Sequence, residues 1–352
     1  VGAVQIDQIQ VVQATTEAVY GTIPALAATD AHICFDVEVG QQSELISKRV
    51  RSNLAAPMRA GVVGERSQTL ALSQHIRGYG GGAMDANTKY PAYHAFLQAC
   101  GFVASWNAGT WTYKPADRYS SSPSLGAHVY MHDTRYQIPG ARGNAVITVV
   151  PGQPAVIAYN FMGLASDPTD QSGAIPAPDY DTGTTGYIDM APPICNGVTL
   201  AFDPYGDAPA ADEGGHIESV TIDLRNIVSM GKSSTIGSYG VGAVRILARG
   251  SGDDNGAICT IEVEAPDPAS AGGVVGFWDR YYAQEIDYTA ADLSLVVGTG
   301  AGNVTTIQLG GVYIRSMTPT VLDGGRRGYT VELGILRTAT ATTEDDIVIT
   351  CV

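Results

Sequence analysis

One order of patterns occurs twice in this sequence, and it limits the folds open to the chain. Ser67 to Arg77 alternates in the strand manner, with Leu70, Leu72 and Ile76 on one face and Thr69, Ala71, Ser73 and His75 on the other. That pattern predicts a half-buried strand. After the glycine-rich run Gly78 to Gly82, Pro91 stands where a first helical residue belongs. Tyr93, Phe96, Leu97 and Cys100 then recur at the i, i+3, i+4, i+7 spacing of a short amphipathic helix, capped by Gly101. Towards the C-terminus, Cys259, Ile261 and Val263 alternate with Thr260, Glu262 and Glu264, and a Pro/Gly-rich break follows. Val274, Phe277, Trp278 and Tyr281 occupy the same four helical steps, 181 residues after the first set. Both stripes are expected to pack on a sheet as satellite core elements outside the barrel, since neither helix is long enough to stand alone.

The surroundings repeat in the same order. A strand pattern precedes each first strand, at Glu44 to Asn53 and at Glu218 to Val228. Hairpin-like strand patterns follow each helix: Gly126 to Ile138, Asn144 to Val150 and Ala155 to Leu164 in the first half, and Leu293 to Val297, Val304 to Arg315 and Gly328 to Leu336 in the second. Strand, strand, helix, strands, twice over, predicts two copies of one β-rich topology with little residue identity between them. The division expected is an N-terminal arm over 1–30, a first unit over 31–166, an acidic Pro/Gly linker over 167–193 and a second unit over 194–352. Within the arm, Ile6, Ile9 and Val11 are too sparse for a core segment. Cys34 to Val39 reads as a strand turned at Gly40, leading into a hairpin that carries Lys48, Arg49 and Arg51.

With 42 glycines and few helical patterns, the chain reads as all-β dominated, and its length favours two units over one core. The formal charge of −15 argues against tight nucleic-acid binding, which needs Lys and Arg to displace counterions from phosphates. Five scattered cysteines have no paired spacing for zinc and read as free thiols of a protein made in a reducing cytoplasm. No apolar run is long enough for a membrane helix, so no membrane partner is expected.

Chemistry-bearing patterns fail on context, and no catalytic residue, cofactor or metal is assigned. Asn226 to Ser233 falls one glycine short of a phosphate-binding loop, and no helical period follows it. Gly298, Gly300 and Gly302 lie outside any βαβ pattern. His128 and His132 sit in a strand pattern, which puts their α-carbons about 13 Å apart, too far for one ion. The aspartates of the linker lack a calcium register. Glu262 and Glu264 share a strand face about 7 Å apart, a spacing a glycosidase also uses; a solvated face accounts for them as well.

A family resemblance does emerge. The runs T-E-A-V-Y-G-T-I-P at Thr16 to Pro24, V-E-V-G-Q-Q-S-E at Val37 to Glu44, R-S-N-L at Arg51 to Leu54 and A-C-G-F at Ala99 to Phe102 resemble the tail tube proteins of long, non-contractile-tailed bacteriophages. So do G-A-R-G-N-A at Gly140 to Ala145, C-N-G-V at Cys195 to Val198 and E-S-V-T-I-D-L-R-N at Glu218 to Asn226, all in family order. The loop Asp203 to Gly215 and the run Ser233 to Gly242 depart from the pattern. The resemblance implies a structural virion protein, not an enzyme, with a duplicated tail-tube β-sandwich or barrel unit. Its rings would stack into a tube whose lumen passes double-stranded DNA without specific binding and holds a tape-measure protein.

On that reading the pore wall should carry more acid than base, with Asp36, Glu38, Asp223, Glu262 and Glu264 as lumen-facing candidates. Two units per chain imply a trimeric ring with pseudo-sixfold symmetry; a hexamer with one combined sandwich per chain is the alternative. A tail-completion or baseplate ring protein, or a β-rich carbohydrate-active enzyme, are the competing functions.

Overall fold

The computed structural model describes residues 10–46, 62–79, 84–85, 89–116, 122–131, 133–171, 176–179, 192–195, 197–199, 217–232, 241–249, 256–264, 281–282, 293–299, 302–336 and 346–352. The protein is all-β, with one short α-helix of more than a single turn among these residues. The first half contributes β1 (Gln10–Thr16), β2 (Ala31–His32), β3 (Phe35–Ile46), β4 (Val62–His75), α1 (His94–Ala99), β5 (Phe102–Asn107), β6 (Thr110–Pro115), β7 (Leu125–Met131), β8 (Thr134–Val149), β9 (Val156–Leu164) and β10 (Thr169–Asp170). The second half contributes β11 (Gly197–Thr199), β12 (Ile217–Asp223), β13 (Asn226–Lys232), β14 (Val241–Arg249), β15 (Ile258–Glu264), β16 (Leu293–Val297), β17 (Thr305–Leu309), β18 (Gly311–Val321), β19 (Arg327–Leu336) and β20 (Ile347–Cys351).

A twelve-stranded antiparallel sheet contains a continuous path β3-β4-β9-β8-β12-β15-β19-β18. The N-terminal part of β8 leaves this path to pair with β7, which carries β1 and β2 beyond it. A six-stranded sheet, β11-β16-β17-β20-β6-β5, faces it across the core and also takes strands from both halves, with Ile349 of β20 opposite Tyr113 of β6. The hairpin β13-β14 forms a small separate sheet.

Strand alternation explains which side each residue takes. Leu70 and Leu72 on β4, Ile147 on β8, Tyr159 and Phe161 on β9, Ile222 on β12, Cys259 on β15 and Val331 on β19 turn inward. They meet Tyr113, Leu295, Ile307 and Ile349 of the second sheet in one contiguous core. Helix α1 lies within that core, with Phe96 and Leu97 fully buried. It ends as the sequence predicts: Cys100 donates back to Phe96 and Leu97, and Gly101 adopts φ +91, a left-handed conformation that costs glycine nothing.

Several local expectations are corrected. Gln10–Thr16 is a sheet strand with Val11, Val12 and Ala14 buried, because β2 and β7 flank it on both sides. Gly40 does not turn the chain. β3 runs straight through it, and a Cβ there would come within 2.4 Å of Thr69 Oγ1 on the paired strand, so the glycine makes room for that hydroxyl. The Glu218 to Val228 pattern is two strands, broken where Arg225 takes φ +52 and the chain crosses from β12 into β13. Gly126 to Ile138 is likewise two strands, β7 and the start of β8. The second helical stripe lies outside the described residues at Val274, Phe277 and Trp278; only Tyr281 is described, partly buried against the core. Lys48, Arg49, Arg51 and the loop Asp203 to Gly215 also fall outside them.

Candidate functional site

The face of the eight-strand path that turns away from the core is polar. Opposed residues line up across the strands: Ser316, Glu332, Thr260, Thr221 and Thr148 form one row from β18 through β19, β15 and β12 to β8. Asn144, Asn160 and Ala71 continue the face through β8, β9 and β4 to Glu38 on β3. Its described carboxylates include Glu38, Asp223, Glu262, Glu264 and Glu332, none of them buried. Two arginines at this face are tied to acids: Arg315 lies 3.2 Å from Glu332, and Arg326 bridges Glu218 and Glu264, the latter at 2.9 Å. Ser219 donates to Glu262 at 2.9 Å. Such a surface of hydroxyls, amides and acids, with Arg315 and Arg326 paired to its carboxylates, holds water well and attracts a polyanion poorly.

All five acids singled out from the sequence are exposed or partly exposed. Glu38, Asp223, Glu262 and Glu264 share the polar face, while Asp36 sits exposed in a bulge of β3 with φ +52. Glu332 and the threonine row were missed as site residues. The signal of Glu332 was present in the alternation of Gly328 to Leu336, and that of each threonine in the alternation of its own strand.

Beneath the junction of the halves, the short motifs converge. Asn226 donates from Nδ2 to the carbonyls of Cys100 at 2.7 Å and Gly143 at 3.0 Å, and its backbone N–H donates to Asn144 Oδ1 at 2.9 Å. Asn144 in turn donates to Asp223 Oδ1, which also accepts the N–H of Arg225 and so holds that residue's left-handed turn. Replacing Asn226 with alanine is expected to leave two carbonyls short of donors and cost about 2–3 kcal/mol, read as a drop in the urea midpoint at unchanged slope.

A second knot joins Thr16 to Pro24 with Gly140 to Ala145. The buried Glu17 carboxylate accepts from Gly140 N–H, Gly21 N–H and Ser124 Oγ, at 2.8, 2.8 and 2.6 Å. Tyr20 accepts from Val244 N–H of β14 at 2.6 Å, and the guanidinium of Arg142 lies over its ring while donating to Ser122.

Helix α1 ties the sheets together. Tyr93 hydrogen-bonds Thr305 of β17 at 3.0 Å. His94 stacks on Tyr90, bonds Tyr113 Oη at 2.9 Å through Nδ1 and accepts from Gln98 through Nε2. That pattern suits the neutral ring, and burial, with the nearby His32 second, lowers its pKa to about 4. Burial and then Arg135 bring His128 down to about 4, and burial lowers His32 and His75 as well. Depressed histidines contribute stability that is complete above the ordinary value of 6.5 and lost as pH falls towards 4. The urea midpoint is therefore expected to fall across that window, with His94 alone accounting for on the order of 2 kcal/mol. A flat profile between those pH values would contradict the neutral assignment.

The chain matches no protein-family description and no curated protein sequence. Among the described residues no cluster of three or more His, Cys, Asp or Glu is placed to hold a metal ion, and no helix is long and apolar enough to cross a membrane.

Proposed function

We propose that this chain is the structural subunit of a bacteriophage tail tube. Its rings stack into a conduit that holds a tape-measure protein and then passes double-stranded DNA into the host. In this reading the chain is a virion component without catalytic activity, and its two halves are copies of one tube unit, so three chains supply six units to a ring.

One observation carries the reading. The path β3-β4-β9-β8-β12-β15-β19-β18 consists of two four-strand runs with the same neighbour order, first, second, fourth and third in chain sequence, joined edge to edge. Each run presents one apolar face to the core and one hydroxyl- and acid-bearing face away from it. A sheet of this kind closes into a wide barrel when further copies extend it, which removes its free edges and turns the polar face to the bore.

Electron microscopy of the purified protein tests this directly, with stacked rings or tubes as the expected result. Lone monomers that hydrolyse glycosidic bonds would favour the enzyme reading instead. The wall chemistry gives a second test. Tubes carrying Glu262→Lys with Thr260→Lys are expected to retain a fluorescent DNA duplex at about 50 mM salt and release it near 200 mM, whereas wild-type tubes retain none. Retention by wild-type tubes would contradict an acidic bore.

A further inference from the structure

The two ends of the eight-strand path are β3 and β18, and neither has a second neighbour among the described residues. The chain itself contains a picture of how such ends meet. At its middle, the outer strand of the first run, β8, pairs with the outer strand of the second, β12, in the register Val149 to Val220, Thr148 to Thr221, Ile147 to Ile222 and Val146 to Asp223.

The correspondence between runs is fixed by pairing. The last β4–β9 pair is His75 with Val156, and the last β15–β19 pair is Glu264 with Gly328. Val156 pairs with Thr148 and Gly328 with Thr320, with loops of equal length between the partners, so Thr320 on β18 corresponds to Thr148 on β8. In the same frame Ala71 corresponds to Thr260, and their partners Glu38 on β3 and Thr221 on β12 correspond to each other.

Exposure marks the missing neighbour. Val149, beside β12, is 0% exposed, while its counterpart Val321 is 75% exposed at an open edge. Pro319, the counterpart of the buried Ile147, is exposed too.

We infer that the β18 edge of one copy pairs antiparallel with the β3 edge of the next copy, in the register of the internal β8–β12 junction: Thr320 opposite Glu38, Val321 opposite Val37 and Thr318 opposite Gly40. This inference rests on the tube reading above and specifies its ring contact. The partner is a second copy because, among the described residues, the strand that covers the equivalent edge of β8 is β12, the counterpart of β3. Pro319 brings no N–H, so this junction has at most one hydrogen bond fewer than the internal one. Head-to-tail repetition of one junction generates a closed ring when its rotation closes.

Paired cysteines read the register. Glu38→Cys with Thr320→Cys, oxidised under native conditions, is expected to give covalent dimers and a closed covalent ring species on a non-reducing gel. Glu38→Cys with Thr318→Cys, displaced by two residues, is expected to give at least tenfold less. Thr148→Cys with Thr221→Cys, which bridges the internal junction within one chain, calibrates the chemistry, and the wild-type chain controls for its native cysteines. Preferential bridging through residue 318 would overturn the register. Rings or tubes by electron microscopy with no bridge at 38/320, while the internal pair closes, would overturn this contact and leave the tube reading standing. A monomer by mass, with the internal pair closed and the edge pair open, would overturn both.

Discussion

Replacing Phe96 with alanine is expected to cost the fold about 3–5 kcal/mol, the range for removing a fully buried aromatic ring. The ring is 0% exposed and sits at the point where both sheets and the N-terminal strands meet. It packs against Tyr159 and Phe161 of β9, with centroids 5.3 and 6.0 Å away, and edge-on against His32 at 4.8 Å. Helix α1 has too few residues to relax into the space left behind, since its ends are held by the Tyr93 hydrogen bond to Thr305 and by Asn226 Nδ2 on the Cys100 carbonyl, the same amide also binding Gly143 of β8. The loss should appear as a large fall in the urea midpoint. A variant that unfolds at the wild-type midpoint would mean that the helix is not a core element. Phe96→Leu, which keeps most of the apolar volume, should recover much of the difference.

The second large effect is expected at Glu17. Its carboxylate is the common acceptor for Gly140 N–H, Gly21 N–H and Ser124 Oγ, and alanine there leaves three donors unsatisfied inside the protein. A cost on the order of 3–5 kcal/mol follows from the penalty of buried unpaired donors. Gly140 also holds φ +65 with Tyr20 packed against it, where a Cβ would lie 2.8 Å from the ring, so the segment has little freedom to find other acceptors. Glu17→Gln keeps one acceptor oxygen and should fall between the two. Equal stability of Glu17→Ala and wild type would remove the carboxylate from this role.

How far these features were legible in the sequence depends on how local their causes are. The alternation of Leu70 and Leu72, and of Cys259, Ile261 and Val263, predicts both the strand and its buried face, because a period of two is a property of the backbone alone. The apolar steps at Tyr93, Phe96 and Leu97 and the stop at Gly101 are equally local. β1 was not legible as a core strand, since Gln10 to Thr16 is covered by partners at residues 31–32 and 125–131. Gly40 misled for a different reason. A glycine signals a turn or a close approach with the same letter, and only the position of Thr69 decides between them.

The polar knots were out of reach for the same physical reason. Glu17 and Asn226 appear within motifs that resemble a family, yet their roles lie in partners over 80 residues away or more, at Ser124, Gly140, Gly143 and Cys100. The acidic face was legible strand by strand through Glu38, Asp223, Glu262 and Glu264. The pairing of β8 with β12, which makes those strands one surface, left no mark in either strand's own pattern.

Cryo-electron microscopy of assembled tubes tests the central claim most directly, because it counts chains per ring and shows which face lines the bore. The account predicts three chains per ring, with the two halves of each chain related by a rotation of about 60° and the face bearing Thr148, Thr221, Thr260 and Glu262 turned to the lumen. Six chains per ring, or that face turned to the outer surface, would contradict it.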